Sequence, residues 1–152
     1  MKSKTNYALD TNILVHALDT NDEYFKNCIR LVECLFDENQ PVYVSDTVLY
    51  EYFAVLSNTY FKHDTSLATR TYEIMLEGVL SAKKLLTTTQ NTPRITLSFL
   101  KNKGYSGKSI HSLLQSAILI EHEVYTIITY DTKSFENIPN LYAVLPEDFR
   151  PQ

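Results

Sequence analysis

Glycine is scarce in this chain: three in 152 residues, at Gly78, Gly104 and Gly107. That supply builds no glycine-rich phosphate loop, so dinucleotide-binding and P-loop fingerprints are excluded. Long apolar runs are also missing. None approaches the ~20 residues of a membrane helix, and no membrane span is expected. No cleavable leader pattern follows Lys2 and Lys4, so a cytoplasmic protein is expected. Cysteine is limited to Cys28 and Cys34, six apart in one helical pattern. Six positions point to different helix faces, which suits neither a metal knuckle nor an intrahelical disulfide. Two buried free thiols are expected instead.

Acid is absent from one long stretch. The net charge is −4, but residues 78–120 carry six basic groups and no acidic one. They are Lys83, Lys84, Arg94, Lys101, Lys103 and Lys108. Residues 1–77 carry six basic and twelve acidic groups, and residues 121–152 two and six. A basic block between acidic ones suits phosphate, or equally a solvated surface facing an acidic partner. Of these cations, Lys101, Lys103 and Lys108 are the candidate nucleic-acid contacts.

What is present is an alternation of strand and helix patterns over a length that suits one domain, residues 1–152. Residues 5–9 read as a strand, followed by a short helix over Ile13–Leu18. Asp22–Phe36 places Phe25, Ile29, Val32 and Phe36 on one helical face. Pro41–Val44 reads as a second strand. Ser45 is an N-cap candidate for a helix over 46–58, with Asp46 at its positive end. A further helix runs over 64–80. Residues 84–89 fit a short edge strand or a loop. Thr92-Pro93 opens a helix that ends near Lys103. Ile110, Leu113, Leu114, Ala117 and Ile118 follow helical spacing in a helix ending at Glu121. Residues 124–129 and 142–144 complete the strands. This order predicts an α/β fold: a three-layer sandwich with a central, mostly parallel β-sheet flanked by helices.

In such sheets the ligand site lies at the carboxyl ends of the strands. Asp10 and Asp131 both stand just past an apolar strand, in Tyr-Ala-Leu-Asp-Thr and Ile-Ile-Thr-Tyr-Asp-Thr. Glu51 stands mid-helix among apolar positions, where a carboxylate is costly to bury unless paired or metal-bound. Together these three are the candidate catalytic and metal-binding acids.

Through these residues the chain resembles the PIN-domain nucleases over nearly its whole length. The carriers are Ala8-Leu9-Asp10-Thr11-Asn12-Ile13-Leu14, Val44-Ser45 through Glu51, Ile110 through Leu119, Thr129-Tyr130-Asp131-Thr132-Lys133-Ser134-Phe135, and Val144-Leu145-Pro146. Small members of this kind look like the toxin ribonucleases of bacterial type II toxin–antitoxin pairs. The resemblance implies a metal-dependent endoribonuclease, with Asp10, Glu51 and Asp131 holding Mg²⁺ or Mn²⁺. It also implies an RNA substrate, a cognate antitoxin protein and a homodimer. Asn12 and Thr129 match polar residues that orient carboxylates or water. The family's third acid is absent: Ile110-His111-Ser112-Leu113-Leu114 carries Ser112 where the pattern has Asp. Mg²⁺ commonly takes only one or two protein carboxylates, so three acids suffice, with Ser112 bonding a water on the metal. The alternative is a catalytically weakened or inactive module that binds RNA or a protein partner.

Other residues are read as structural. His111 points about 100° round the helix from Ser112, which predicts a surface or partly packed position. His16, His63 and His122 have no ligand spacing. The eleven tyrosines are mostly interleaved with core positions and read as packing residues. A phosphoryl-receiver site needs adjacent acids near the first strand, and Asp10 has no acidic neighbour.

Overall fold

The computed structural model describes residues 5–102 and 109–150. Lys103 and Lys108 lie outside the described residues.

Five short strands form the centre: β1 (Tyr7–Leu9), β2 (Val42–Ser45), β3 (Leu85–Leu86), β4 (Thr126–Ile128) and β5 (Tyr142–Val144). They pair in the order β3-β2-β1-β4-β5, and every pairing is parallel. The segment over 84–89, ambiguous in the sequence, supplies the two-residue edge strand β3. Tyr7 sits opposite Val42 on one side and Thr126 on the other, so β1 is central. The chain lays β2 and β3 to one side of β1, then β4 and β5 to the other. The switch falls between β1 and β4, where a parallel sheet opens a crevice beyond its strand ends.

Side-chain alternation builds two cores, one on each face of the sheet. Leu9, Val42, Val44 and Ile128 face α1 (Thr11–His16), α2 (Phe25–Phe36), α3 (Asp46–Val55) and α4 (Thr65–Ser81). Ala8 and Ile127 face the other way, against Leu113, Ala117, Ile118 and Leu119 of α6 (Ile110–Glu121) and Phe99 of α5 (Thr92–Leu100). The result is the expected three-layer sandwich. Where α4 crosses α2, Gly78 lets the Phe36 ring come close: a Cβ there would stand 2.6 Å from Phe36 Cε1.

Caps explain the helix boundaries. Asp10 is the N-cap of α1, so that helix starts two residues earlier than its apolar pattern suggests. The Ser45 hydroxyl accepts from Val48 N at 3.3 Å and opens α3. α3 ends at Val55 and passes into a π turn over Leu56–Tyr60, which shortens the single helix expected over 46–58. Cys28 is buried and Cys34 half-buried, both free. No helix among the described residues is long and apolar enough to cross a membrane.

Candidate active site

Asp10 is built into the switch point by its backbone. Its N–H donates to Ile128 O at 3.1 Å, extending the β1–β4 ladder by one bond. Its extended backbone then turns into α1, and Oδ1 accepts from Thr11 N at 2.8 Å. Oδ2 accepts from the Thr129 hydroxyl at 2.7 Å and from Asn12 Nδ2 at 3.1 Å. The side chain is therefore fixed by three bonds, and the residue is only 9% exposed.

Thr129 is the hub that joins the two strand ends. Besides donating to Asp10, its Oγ1 accepts from Asn12 Nδ2 at 3.0 Å and from Asp131 N at 2.9 Å. Asn12 Oδ1 accepts from Tyr130 N at 3.3 Å. One hydroxyl thus sets the Asp10 carboxylate and the backbone position of Asp131 together. Thr129→Val removes that oxygen at constant shape and orphans the Asp131 N–H. The melting temperature is expected to fall by a few degrees, since a polar group left unmet costs about 1–3 kcal/mol, and a circular dichroism melt checks it.

The other acids arrive from different elements. Glu51 on α3 is half-buried; its Oε2 accepts from the Thr11 hydroxyl at 2.7 Å, and Oε1 lies 3.5 Å from His111 Nδ1. Asp131 is exposed, and the Ser134 hydroxyl donates to its Oδ2. All three line one cleft of about 460 Å³, together with Thr11, Asn12, Ser109, His111, Ser112 and Gln115. Among the described lining residues there is no Lys or Arg.

The charges in the cleft act on one another. Burial pushes the Asp10 carboxyl above its ordinary range. Hydrogen bonds from Thr129 and Thr11 pull it back, while the negative charges of Glu51 and Asp131 raise it further. A cation in the cleft would relieve both the desolvation and the repulsion. The donors are hard oxygens, the set preferred by Mg²⁺ and Mn²⁺. Among the described residues no three His, Cys, Asp or Glu groups close on a common point. The donor chemistry fits an ion that keeps most of its waters and touches few carboxylates.

His111 is exposed, as the sequence reading has it, and it lines the cleft beside Ser112. One placement differs from that reading. Lys84, one of the basic block, is 3% exposed and donates from Nζ to the carbonyls of Glu38 and Gln40, with the Tyr43 ring beneath it at 4.8 Å. Burial holds its ammonium below the ordinary lysine range, and it is not a phosphate contact. Arg94 and Lys101 are exposed, and neither lines the cleft.

Gln115 was not among the expected site residues. It lines the cleft, is 3% exposed, and its Nε2 has no hydrogen-bond partner among the described residues. A buried donor left so costs about 1–3 kcal/mol. The signal in the sequence is an amide side chain one turn after Ser112, on the same helix face.

No protein-family model and no curated protein matches this chain. Its fold, however, is similar to solved structures. VapBC2 from Rickettsia felis, bound to a DNA fragment from the promoter, is 22% identical with a TM-score of 0.65, covering 93% of this chain and 98% of that one. FitAcB from Neisseria gonorrhoeae is 17% identical with a TM-score of 0.69, covering 94% and 99%. VapC20 from Mycobacterium tuberculosis, described as a sarcin-ricin-loop-cleaving toxin, is 13% identical with a TM-score of 0.58, covering 88% and 97%. The fold is that of the PIN-domain toxin ribonucleases of the VapC and FitB kind.

Proposed function

We propose that this protein is a divalent-metal-dependent endoribonuclease and the toxin of a toxin–antitoxin pair. The observation that carries the reading is one cleft at the sheet's switch point lined by Asp10, Glu51 and Asp131. Asp10, Glu51 and Asp131 would hold Mg²⁺ or Mn²⁺, with Asp10 as the fixed member and the more exposed Glu51 and Asp131 free to adjust. When bound, the ion neutralises charge developing on the scissile phosphate and lowers the pKa of water. Asn12 and Thr129 keep the Asp10 oxygens aimed, and Ser112 offers a hydroxyl to solvent in the cleft. Arg94 and Lys101, with Lys103 and Lys108, would guide the RNA backbone electrostatically. Neighbours in fold include toxin–antitoxin complexes, which supports an antitoxin as partner. A homodimer belongs to the same reading.

The direct test is cleavage of a labelled structured RNA by purified protein with Mn²⁺. Cleavage that stops on chelation and returns with metal is expected; cleavage indifferent to chelation overturns the reading.

A second reading, a weakened module that binds without cutting, is favoured by one observation: Ser112 lines the cleft where a further carboxylate would add charge. Ser112→Asp separates the two. If three acids suffice, the wild type cleaves and the variant changes its rate by less than about tenfold, since Mg²⁺ needs few protein carboxylates. A silent wild type whose Ser112→Asp variant cleaves establishes the second reading.

A further inference from the structure

The α6 wall of the cleft differs in kind from the others. Asp10, Glu51 and Asp131 bring negative charge from two strand ends and α3. α6 contributes no acid: Ser109, Ser112 and Gln115, three residues apart in succession, line the cleft with hydroxyl and amide groups. Ser112 and Gln115, one turn apart, share a helix face, and Ser109 is the N-cap just before them. The first turn of α6 lies at the same wall, and the N–H groups of a helix start favour an anion. Within this wall the Gln115 Nε2 has no partner among the described residues, although Gln115 is only 3% exposed. Buried polar groups are nearly always satisfied in folded proteins. Ser116, its neighbour, obeys that rule by donating to Ser112 O at 2.6 Å.

We propose that Gln115 grips the substrate: its side chain, sealed from solvent in the free protein, turns into the cleft it lines, and Nε2 donates to a non-bridging phosphate oxygen of the RNA strand that enters there. The inference rests on the nuclease reading for the identity of its ligand. Charge selects that ligand. A phosphodiester meets repulsion from three carboxylates, and α6 is the wall whose dipoles attract its oxygens. A neutral donor wall, with Ser112 in place of an acid, therefore exchanges one metal ligand for anion contact. Gln115 acts by holding the strand in register over the acids; bonds break and form elsewhere in the cleft.

Gln115→Met tests this, because it keeps the length and apolar contacts and removes the donor. Binding of a fluorescently labelled structured RNA is measured by anisotropy in EDTA, and cleavage kinetics separately with Mn²⁺. The expected result is a roughly tenfold loss of RNA affinity, the scale of one charge-assisted hydrogen bond. KM rises by the same factor with kcat unchanged, as for a contact made equally in ground and transition states. The melting temperature does not fall, since an unpartnered buried donor has been removed. Wild-type RNA affinity in the variant, or a lost affinity that tracks a lower melting temperature, overturns the proposal. Gln115→Asn, which retains the amide but withdraws it by one methylene, is the second variant and is expected to lose affinity likewise; unchanged binding there also overturns it. Gln115-dependent RNA binding by a protein that never cleaves refutes the nuclease reading and leaves this inference standing. Cleavage with affinity and KM untouched by both substitutions refutes this inference alone.

Discussion

Asp10→Asn is expected to reduce Mn²⁺-dependent RNA cleavage by more than about a hundredfold while leaving the protein folded. Groups that only orient metal ligands are worth roughly 10- to 100-fold, and a direct donor exceeds them. Asp10 is the proposed metal ligand that the fold fixes most firmly, through Thr11 N, the Thr129 hydroxyl and Asn12 Nδ2. Asparagine has the same shape but one carbonyl oxygen and no charge. It cannot serve all three donors as the carboxylate does, which costs stability. The opposite contribution comes from titration. Burial raises the Asp10 carboxyl in the folded state, so the folded protein binds that proton more readily than the unfolded chain. The ionised carboxylate is then a destabilising element above its folded pKa, and the penalty is relieved as pH falls through that value. Asparagine removes the penalty at neutral pH. The two effects oppose one another, and the melting temperature should move by only a few degrees while cleavage collapses. Circular dichroism melts beside the cleavage assay check both halves. Undiminished cleavage by the pure variant would place the chemistry elsewhere.

Leu119→Ala is expected to destabilise the fold by about 2–5 kcal/mol, the range for a fully buried leucine cut back in a core that relaxes only partly. Leu119 is completely buried on α6, in the core that packs this helix and α5 against the sheet. Total stability of small domains is about 5–15 kcal/mol, so the loss is a large fraction. In urea the midpoint should fall with the slope unchanged, because the same surface is exposed on unfolding. Each kcal/mol lowers the melting temperature by roughly 2–4 °C at this size. Leu119 does not line the cleft, so KM measured where the variant is still folded should match the wild type. A midpoint shift below about 1 kcal/mol would mean that α6 is less tightly packed than its burial indicates.

The two substitutions probe what was legible in the sequence and what was not. Local patterns were legible. The β-branched run of β4, the apolar period of α6 and the Ser45 cap each follow from neighbouring residues, and their elements stand close to where the patterns put them. The two-residue β3 was ambiguous, because Leu85 and Leu86 become a strand only through pairing with Val44 and Ser45. Lys84 reads as a surface cation until the carbonyls of Glu38 and Gln40, more than forty positions away, are folded around it.

The site divides in the same way. Asp10 and Asp131 are visible as acids past apolar strands, since strand endings are written in consecutive residues. Their common cleft with Glu51 is a property of parallel pairing between β1 and β4, whose partners are 119 residues apart. The reach of one Thr129 hydroxyl to Asp10, Asn12 and the Asp131 backbone depends on that same pairing. That His111 borders the same cleft as Ser112 was not legible, because a helical wheel gives angles round one helix and says nothing of what that helix borders. Gln115 was missed because an unpartnered amide is defined by what surrounds it. The sequence by itself determined the alternation of elements, the sandwich class and the residue types at each strand end, all set by short-range sterics and periodicity. Only the tertiary structure decided which polar groups meet, which cation is buried and which donor is left open, because burial and hydrogen bonding depend on long-range neighbours that no local pattern specifies.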